Sequence, residues 1–192
     1  MGLIGLFILF QLPILAIYVG LAAAPLVVLY PLAKRVTWFP QFVLGLTFSW
    51  GVFLGWAAVT GTLPDQSIML VYAGCAAWVF GYDTIYAIQD MQDDRIVGVK
   101  SSALALAHNI KAGVASAYCL TIGLIAAGLL EFDHQPVVAA WFGLAGMAVH
   151  LGYQIWRLQS DDAVLALALF KSNRNAGLLL VAGLVLDRLL AI

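Results

Sequence analysis

The chain has 192 residues, a net charge of −1 and only 10% charged residues, whereas 64% of its residues are hydrophobic. Together with a mean hydropathy of +0.99, this composition excludes an ordinary soluble domain or a disordered segment, and it indicates a protein with several membrane spans. The small net charge gives no indication of a nucleic-acid or polyanion partner.

Apolar segments long enough to cross a membrane, which takes about 20 residues, follow one another along the chain. Residues 1–33 carry no charge; they are too long for one span and too short for two. A break at Pro13 therefore predicts a partial helix followed by a full span. The predicted full spans are Ile14–Ala33, Phe42–Thr60, Ser67–Tyr82, Ala112–Leu130, Gln135–Trp156 and Ala176–Ile192. We expect an all-α transmembrane helical bundle of about six full spans plus a truncated first helix, with residues 1–192 forming one domain.

The basic residues indicate how this bundle is oriented. Eight of the nine lie in alternate connections between the predicted spans, and only Arg188 lies on the other side. By the positive-inside rule, the side that carries the eight is cytoplasmic.

Four aspartates lie within twelve residues in the segment YDTIYAIQDMQDDRIVGVKS, which follows the third full span. If the helix continues through this segment, Asp83, Asp90 and Asp94 form one stripe, and Asp93 lies off it. Carboxylates stacked on one helix face repel one another, so a cation or a cationic partner is expected to offset the repulsion. A polar cytoplasmic loop that carries its charges for solubility is the alternative interpretation. Mg²⁺ is a suitable candidate because it takes oxygen ligands.

Aromatic residues precede and enter the same segment at helical spacing. Trp78, Tyr82 and Tyr86 form a wall whose ring quadrupoles are suited to stabilise a carbocation. Aromatic residues at this spacing also occur in core packing and in interfacial belts, and both interpretations stay open.

Four of the eight basic residues on the cytoplasmic side are candidates for a site with the aspartates. They are Lys34, Arg35, Arg95 and Lys100. Metal-bound carboxylates beside Lys and Arg side chains are typical of a diphosphate site. Each basic residue is also explained as a determinant of membrane topology.

Polar residues in the later spans have simpler interpretations. His150 and Gln154 share a helix face, which favours hydrogen bonds between helices over a ligand role. Asn173, Arg174 and Asn175 lie on the side of the aspartates, where they either line the entrance of a site or begin a helix.

Three segments together resemble a known family. YDTIYAIQDMQDDRIVGVKSSALAL resembles the second aspartate-rich motif of the UbiA-type intramembrane aromatic prenyltransferases, most closely that of the 4-hydroxybenzoate polyprenyltransferases. Residues 29–58 are similar to the same family, and Tyr30 and Lys34 fit its YxxxK element. FKSNRNAGLL, at residues 170–179, is similar to its C-terminal region in a form associated with proteobacterial members.

The resemblance implies a Mg²⁺-dependent transfer of a polyprenyl group from its diphosphate to an aromatic acceptor such as 4-hydroxybenzoate, in ubiquinone biosynthesis. Asp90 and Asp94 then act as metal ligands, with Asp83 as a further catalytic carboxylate. Lys34 and Tyr30 approach the diphosphate. The expected location is the bacterial inner membrane, with the site facing the cytoplasm.

One part of the family pattern is missing from this sequence. The family's first aspartate-rich motif, NDxxDxxxD, has no match, and no aspartate precedes Asp65. We therefore expect a chain that is N-terminally truncated relative to the family, or one whose first motif comes from a partner chain. A non-catalytic membrane subunit and a cation-binding, transporter-like protein are the alternatives to an enzyme.

Overall fold

The computed structural model describes residues 2–132 and 138–190, which are helical apart from short connections. A short 3₁₀-helix lies at Ala107–Asn109. The α-helices are α1 (Gly2–Leu9), α2 (Ile14–Leu21), α3 (Ala24–Val36), α4 (Pro40–Ser49), α5 (Gly51–Thr60), α6 (Gln66–Tyr86), α7 (Met91–Val97), α8 (Ser102–Leu106), α9 (Ile110–Glu131), α10 (Val138–Arg157) and α11 (Ala163–Leu190).

Six helical segments are long and apolar enough to cross a membrane. They are Ile14–Ala33, Pro40–Thr60, Gln66–Tyr86, Ser102–Glu131, Val138–Arg157 and Ala163–Leu190. The short α1 precedes them, and Pro13 lies at the start of α2. The predicted bundle of six full spans after a partial helix is therefore confirmed. The predicted start of the fifth span, Gln135, lies outside the described residues.

The last span differs from its prediction because α11 is one continuous helix of 28 residues. Its start is capped by Asp162, whose carboxylate accepts a hydrogen bond from the amide of Leu165 at 2.8 Å. No Gly or Pro interrupts the helix before Gly177. The interpretation in which Asn173 and its neighbours begin a helix is wrong, since the polar residues lie inside the helix.

The second span bends at Trp50, between α4 and α5. The hydroxyl of Thr47 donates to the carbonyl of Val43, a local bond that often bends helices. The amide of Trp50 then donates to the carbonyl of Thr47, three residues back, instead of four. The indole Nε1 of Trp50 donates to the carbonyl of Val19 at 2.8 Å and so ties the bend to α2.

Helix α6 lies between α4, α9 and α11, and its contact with α9 is the most extensive in the bundle. Small residues allow this approach. A Cβ atom on Gly74 would lie 2.8 Å from Cγ1 of Ile125, and one on Gly128 would lie 2.8 Å from the carbonyl oxygen of Ser67. Without a hydrophobic driving force between helices in lipid, such close packing supplies much of the association energy.

The α10–α11 pair makes an equally close contact at Gly143 and Gly183. A Cβ atom on Gly183 would lie 2.6 Å from Cα of Gly143, where only backbone movement relieves the clash.

We expect Gly183→Ala to destabilise the protein by about 1–3 kcal/mol through overpacking. Thermal unfolding in detergent measures this, with Gly152→Ala as the matched control because its Cβ meets nothing within 4 Å. Equal stability of the two variants would contradict this packing.

Asp65 caps α6 on the side of the membrane opposite the aspartate segment. Its carboxylate accepts hydrogen bonds from the hydroxyl of Ser67 and from the amide of Ile68, and these bonds lower its pKa. Since the folded pKa lies below the unfolded one, the charged cap stabilises the protein above the unfolded value, near 3.8. The stabilisation is lost as the pH falls through the folded pKa.

We expect Asp65→Ala to lower stability at neutral pH by about 1 kcal/mol or less, because the side chain is exposed. Asp65→Asn keeps an accepting oxygen and should lose less. Thermal unfolding at neutral pH and at about pH 3 separates the effect of the charge from that of the accepting oxygen. The difference in stability between wild type and Asp65→Asn should shrink in acid, because the wild-type carboxylate becomes protonated there. A difference that is independent of pH would show that the charge contributes nothing.

Candidate active site

The helix that carries Asp83 ends before the other aspartates. Helix α6 stops at Tyr86, and residues 87–90 form a tight turn. The amides of residues 88–91 each donate to the carbonyl three residues back, so the turn is wound more tightly than an α-helix. The condition for a single stripe, a helix that continues from Asp83 to Asp94, is therefore not met.

The tight turn still brings the three aspartates of the predicted stripe to one place. Asp83, Asp90 and Asp94 line a small cavity of about 90 Å³, called here the aspartate cavity. Its complete lining is Tyr30, Gln41, Asp83, Tyr86, Ala87, Asp90, Asp94, Val99, Lys100 and Ser101. Gly98, with φ of 78°, ends α7 and turns the chain so that the residues after it line the same cavity.

The predicted diphosphate-binding residues fall into three groups. Tyr30 and Lys100 line the aspartate cavity; the ammonium of Lys100 also donates to the carbonyl of Val36 at 3.1 Å. Lys34 lies one turn after Tyr30 in α3, but its side chain is outside the described part of the structure. Arg95 is exposed on α7 and is not among the described residues that line the cavity.

A buried polar network supports the aspartate cavity from behind. The hydroxyls of Thr84 and Ser102 share a hydrogen bond of 2.7 Å, and the amide of Ser102 donates to the side-chain oxygen of Gln41 at 3.0 Å. All three residues are buried. The network joins α6, α8 and α4, so it fixes the connection after α7 against the two helices that carry cavity residues. Sequence patterns do not reveal it, because its members are 18 and 61 residues apart.

A second cavity, of about 830 Å³, lies between the α4–α5 bend, α6 and α11, and is called here the aromatic cavity. Its lining is Thr47, Phe48, Ser49, Gly51, Val52, Cys75, Trp78, Val79, Tyr82, Phe170, Lys171, Asn173, Arg174 and Gly177. Of the polar residues that the sequence places near an entrance, Asn173 and Arg174 line it, and Asn175 is not among the lining residues of the described chain.

The predicted aromatic wall includes a ring from a distant helix. Trp78 and Tyr82 meet edge to face with centroids 5.7 Å apart, but Tyr86 reaches Tyr82 through Phe170 of α11. The Phe170 ring lies 5.7 Å from that of Tyr82 and 4.7 Å from that of Tyr86. Tyr86 lines the aspartate cavity, whereas Trp78, Tyr82 and Phe170 line the aromatic cavity. The rings therefore connect the two cavities.

Comparison with known proteins identifies the family to which the chain belongs. The sequence profile of the UbiA prenyltransferase family matches residues 1–184. The chain belongs to the UbiA prenyltransferase family. A solved apo structure of a UbiA homolog from Aeropyrum pernix K1 has the same fold, with a TM-score of 0.78 at 23% identity over 94% of this chain and 66% of that chain.

Relatives of this UbiA-family chain include proteins named 4-hydroxybenzoate polyprenyltransferase, mitochondrial. The one from Caenorhabditis elegans is 41% identical over 97% of this chain and 52% of its own length. The Drosophila melanogaster protein is 42% identical over 97% of this chain and 47% of its length, and the human protein 36% identical over 91% and 46%. The chain thus spans about half the length of these relatives.

UbiA-family enzymes generally use Mg²⁺. The described residues contain no group of three His, Cys, Asp or Glu side chains that could hold a metal ion. Mg²⁺ does not require such a group, because it commonly takes one or two carboxylates and completes its shell with water and substrate phosphate oxygens. Asp90 and Asp94, which face one cavity from the tight turn and from α7, fit such a partial ligand set.

The network behind the aspartate cavity generates a stability prediction. Gln41→Leu removes the acceptor of the buried Ser102 amide and should cost about 1–3 kcal/mol. Gln66→Leu, at an exposed glutamine, is the matched control and should change stability by less than about 0.5 kcal/mol. Thermal unfolding of both variants in detergent tests this, and the network has no structural role if they unfold at the same temperature.

Proposed function

We propose that this chain carries the second catalytic half of a Mg²⁺-dependent aromatic prenyltransferase. The reaction transfers a polyprenyl group from polyprenyl diphosphate to an aromatic acid such as 4-hydroxybenzoate, as in ubiquinone biosynthesis. The observation that supports it is the adjacency of the two cavities. An aspartate-lined cavity suited to a metal-bound diphosphate adjoins a larger aromatic cavity suited to an isoprenoid chain, and α6 contributes to both.

The roles of the residues follow from this placement. Asp90 and Asp94 would hold the metal, which when bound would supply positive charge to offset that of the diphosphate. Lys100 and Tyr30, which face the same cavity, donate hydrogen bonds to diphosphate oxygens, and Lys34 adds a further positive charge to this end of the bundle. Asp83, at the end of α6, completes the carboxylate face of the site.

The bond changes take place between the two cavities. The bond from the allylic carbon to oxygen breaks, and its electron pair leaves with the diphosphate. Positive charge develops on the allylic carbon beside Tyr82, Tyr86 and Phe170, whose ring faces are negative and stabilise it. A ring carbon of the acceptor forms the new carbon–carbon bond, and the ring proton leaves to water.

The same proposal includes the location and the partners. We infer from the distribution of Lys and Arg along the spans that the aspartate cavity faces the cytoplasm, and we propose the bacterial inner membrane as the location. The C-terminal segment favours a bacterial membrane, although the relatives above are named as mitochondrial proteins. The family's first aspartate-rich motif, which would bind the diphosphate from the opposite side, has no match in this sequence.

Charge removal at the aspartates tests the proposal. Asp90→Asn and Asp94→Asn should each reduce prenyl transfer by about 100-fold or more, because each removes charge stabilisation from the departing diphosphate. Asp93→Asn, which alters an exposed carboxylate on the same helix, is the matched control and should retain activity within about threefold.

Transfer is measured with labelled polyprenyl diphosphate, 4-hydroxybenzoate and Mg²⁺ in membranes that contain the protein together with a second chain that carries the family's first aspartate-rich motif. An equal loss of prenyl-transfer activity in Asp93→Asn and Asp90→Asn would contradict the role of Asp90 as a metal ligand. Absence of any transfer by the wild-type chain would favour a non-catalytic subunit or a cation-binding protein.

A further inference from the structure

An asparagine of α11 holds the indole of Trp78 against the aromatic cavity. Nε1 of Trp78 donates to Oδ1 of Asn173 at 2.8 Å, although the two residues are 95 positions apart. The Asn173 amide is itself fixed, because its Nδ2 donates to the carbonyls of Leu169 and Phe170. These bonds assign the orientation of the amide, so its oxygen is the atom that faces the indole.

A second contact fixes the other end of the same ring. A Cβ atom on Gly177, one turn after Asn173, would lie 2.9 Å from Cη2 of Trp78. The six-membered edge of the indole therefore lies against the backbone of α11, in space that a larger residue would fill. The ring is held at its N–H end by a hydrogen bond and at its far edge by the glycine.

The helix that supplies both contacts is held by buried polar bonds. The hydroxyl of Tyr118 donates to Oε1 of Gln154 at 2.6 Å, and Nε2 of Gln154 donates to the hydroxyl of Ser172 at 2.9 Å. His150 shares a further hydrogen bond of 3.1 Å with Ser172, which agrees with the prediction for His150 and Gln154. These bonds fix the rotation of α11 relative to α9 and α10, and hence the position of Asn173.

Trp78 lies where an isoprenoid chain would pass. It is five residues before Asp83 on α6, which corresponds to about 7–8 Å along the helix away from the aspartates. Its ring meets that of Tyr82 edge to face and lines the aromatic cavity. A chain whose diphosphate lies in the aspartate cavity would reach Tyr82 first and the indole next.

We propose that Asn173 is a positioning residue that, through Trp78, sets the shape of the aromatic cavity beyond Tyr82 and with it the preference for prenyl chain length. This inference rests on the proposed function, since it requires the isoprenoid chain to occupy the aromatic cavity. Asn173 acts through the indole, which contacts the chain. Gly177 contributes by leaving space for the indole.

The test is a double-mutant cycle in which the affinity for unreactive substrate analogues is measured. The result therefore does not depend on catalytic turnover. Asn173→Leu removes the acceptor, whereas Asn173→Asp keeps an accepting oxygen. Dissociation constants are measured in the presence of Mg²⁺ for two prenyl S-thiolodiphosphates, which do not react. One analogue has a short prenyl chain and the other a long one. We expect Asn173→Leu to reduce the ratio of long-chain to short-chain affinity by about three- to tenfold, and Asn173→Asp to keep it within about twofold.

The cycle partner is Trp78→Phe, which removes the donor. If Asn173 acts through the indole, Asn173→Leu should have no further effect on the ratio in a Trp78→Phe background. Gly177→Ala should change the ratio in the wild-type background, whereas Gly146→Ala, with ordinary contacts of 3.6 Å or more, is the matched control and should not. The proposal would be overturned if Asn173→Leu changed the ratio of long-chain to short-chain affinity as much in the Trp78→Phe background as in the wild-type background.

The emission of Trp78, taken as the difference between wild type and Trp78→Phe, shows whether the indole moves. We expect a shift in Asn173→Leu and none in Asn173→Asp. An unchanged emission in Asn173→Leu, or an equal loss of affinity for both chain lengths, would also overturn the proposal.

Failure of the proposed function gives a different pattern. If the wild-type chain binds the thiolodiphosphates with the expected cycle but transfers nothing to 4-hydroxybenzoate, the enzyme proposal fails and the positioning inference stands. If transfer occurs but the affinity ratio is the same in all variants, the positioning inference fails alone. If the wild-type chain binds neither analogue, both fail.

Discussion

Close backbone contact around α6 is the constraint on which the rest of this structure depends. A Cβ atom on Gly45 of α4 would lie 2.5 Å from the carbonyl oxygen of Ala76, and one on Gly81 would lie 2.6 Å from the Tyr118 ring. With Gly74 facing Ile125, these contacts let α4 and α9 approach α6 from different sides. Another face of α6 points to the aromatic cavity, and the C-terminal end of α6 reaches the aspartate cavity.

The tight turn at residues 87–90 separates α6 from α7, so the aspartates line one cavity from two helices and the turn between them. A straight continuation of α6 would have stacked its carboxylates along one face, with repulsion between them. Ending α6 at Tyr86 and restarting at Met91 places Asp83 and Asp94 on different helices that meet at one cavity. Carboxylates that converge from separate elements suit a shared ligand better than a stripe does.

Polar side chains inside the bundle serve two kinds of structural role. Gln154, near the C-terminal end of α10, satisfies its own amide and joins α9 to α11, as expected for polar residues between spans. Gln41, near the start of α4, satisfies a backbone amide that would otherwise be buried without a partner. In both cases the hydrogen bonds hold helices that line a cavity, so fold stability and site geometry depend on the same residues.

The sequence by itself determined the membrane bundle, its number of spans and the position of the aspartate segment, because composition and span length are local properties. It did not determine where α6 ends, since the choice between α and 3₁₀ bonding at residues 87–90 depends on what packs around them. Only the tertiary structure placed Phe170 between Tyr82 and Tyr86, and Asn173 against Trp78. Those pairs join residues more than 80 positions apart, and helical periodicity carries no information on which faces of distant helices meet.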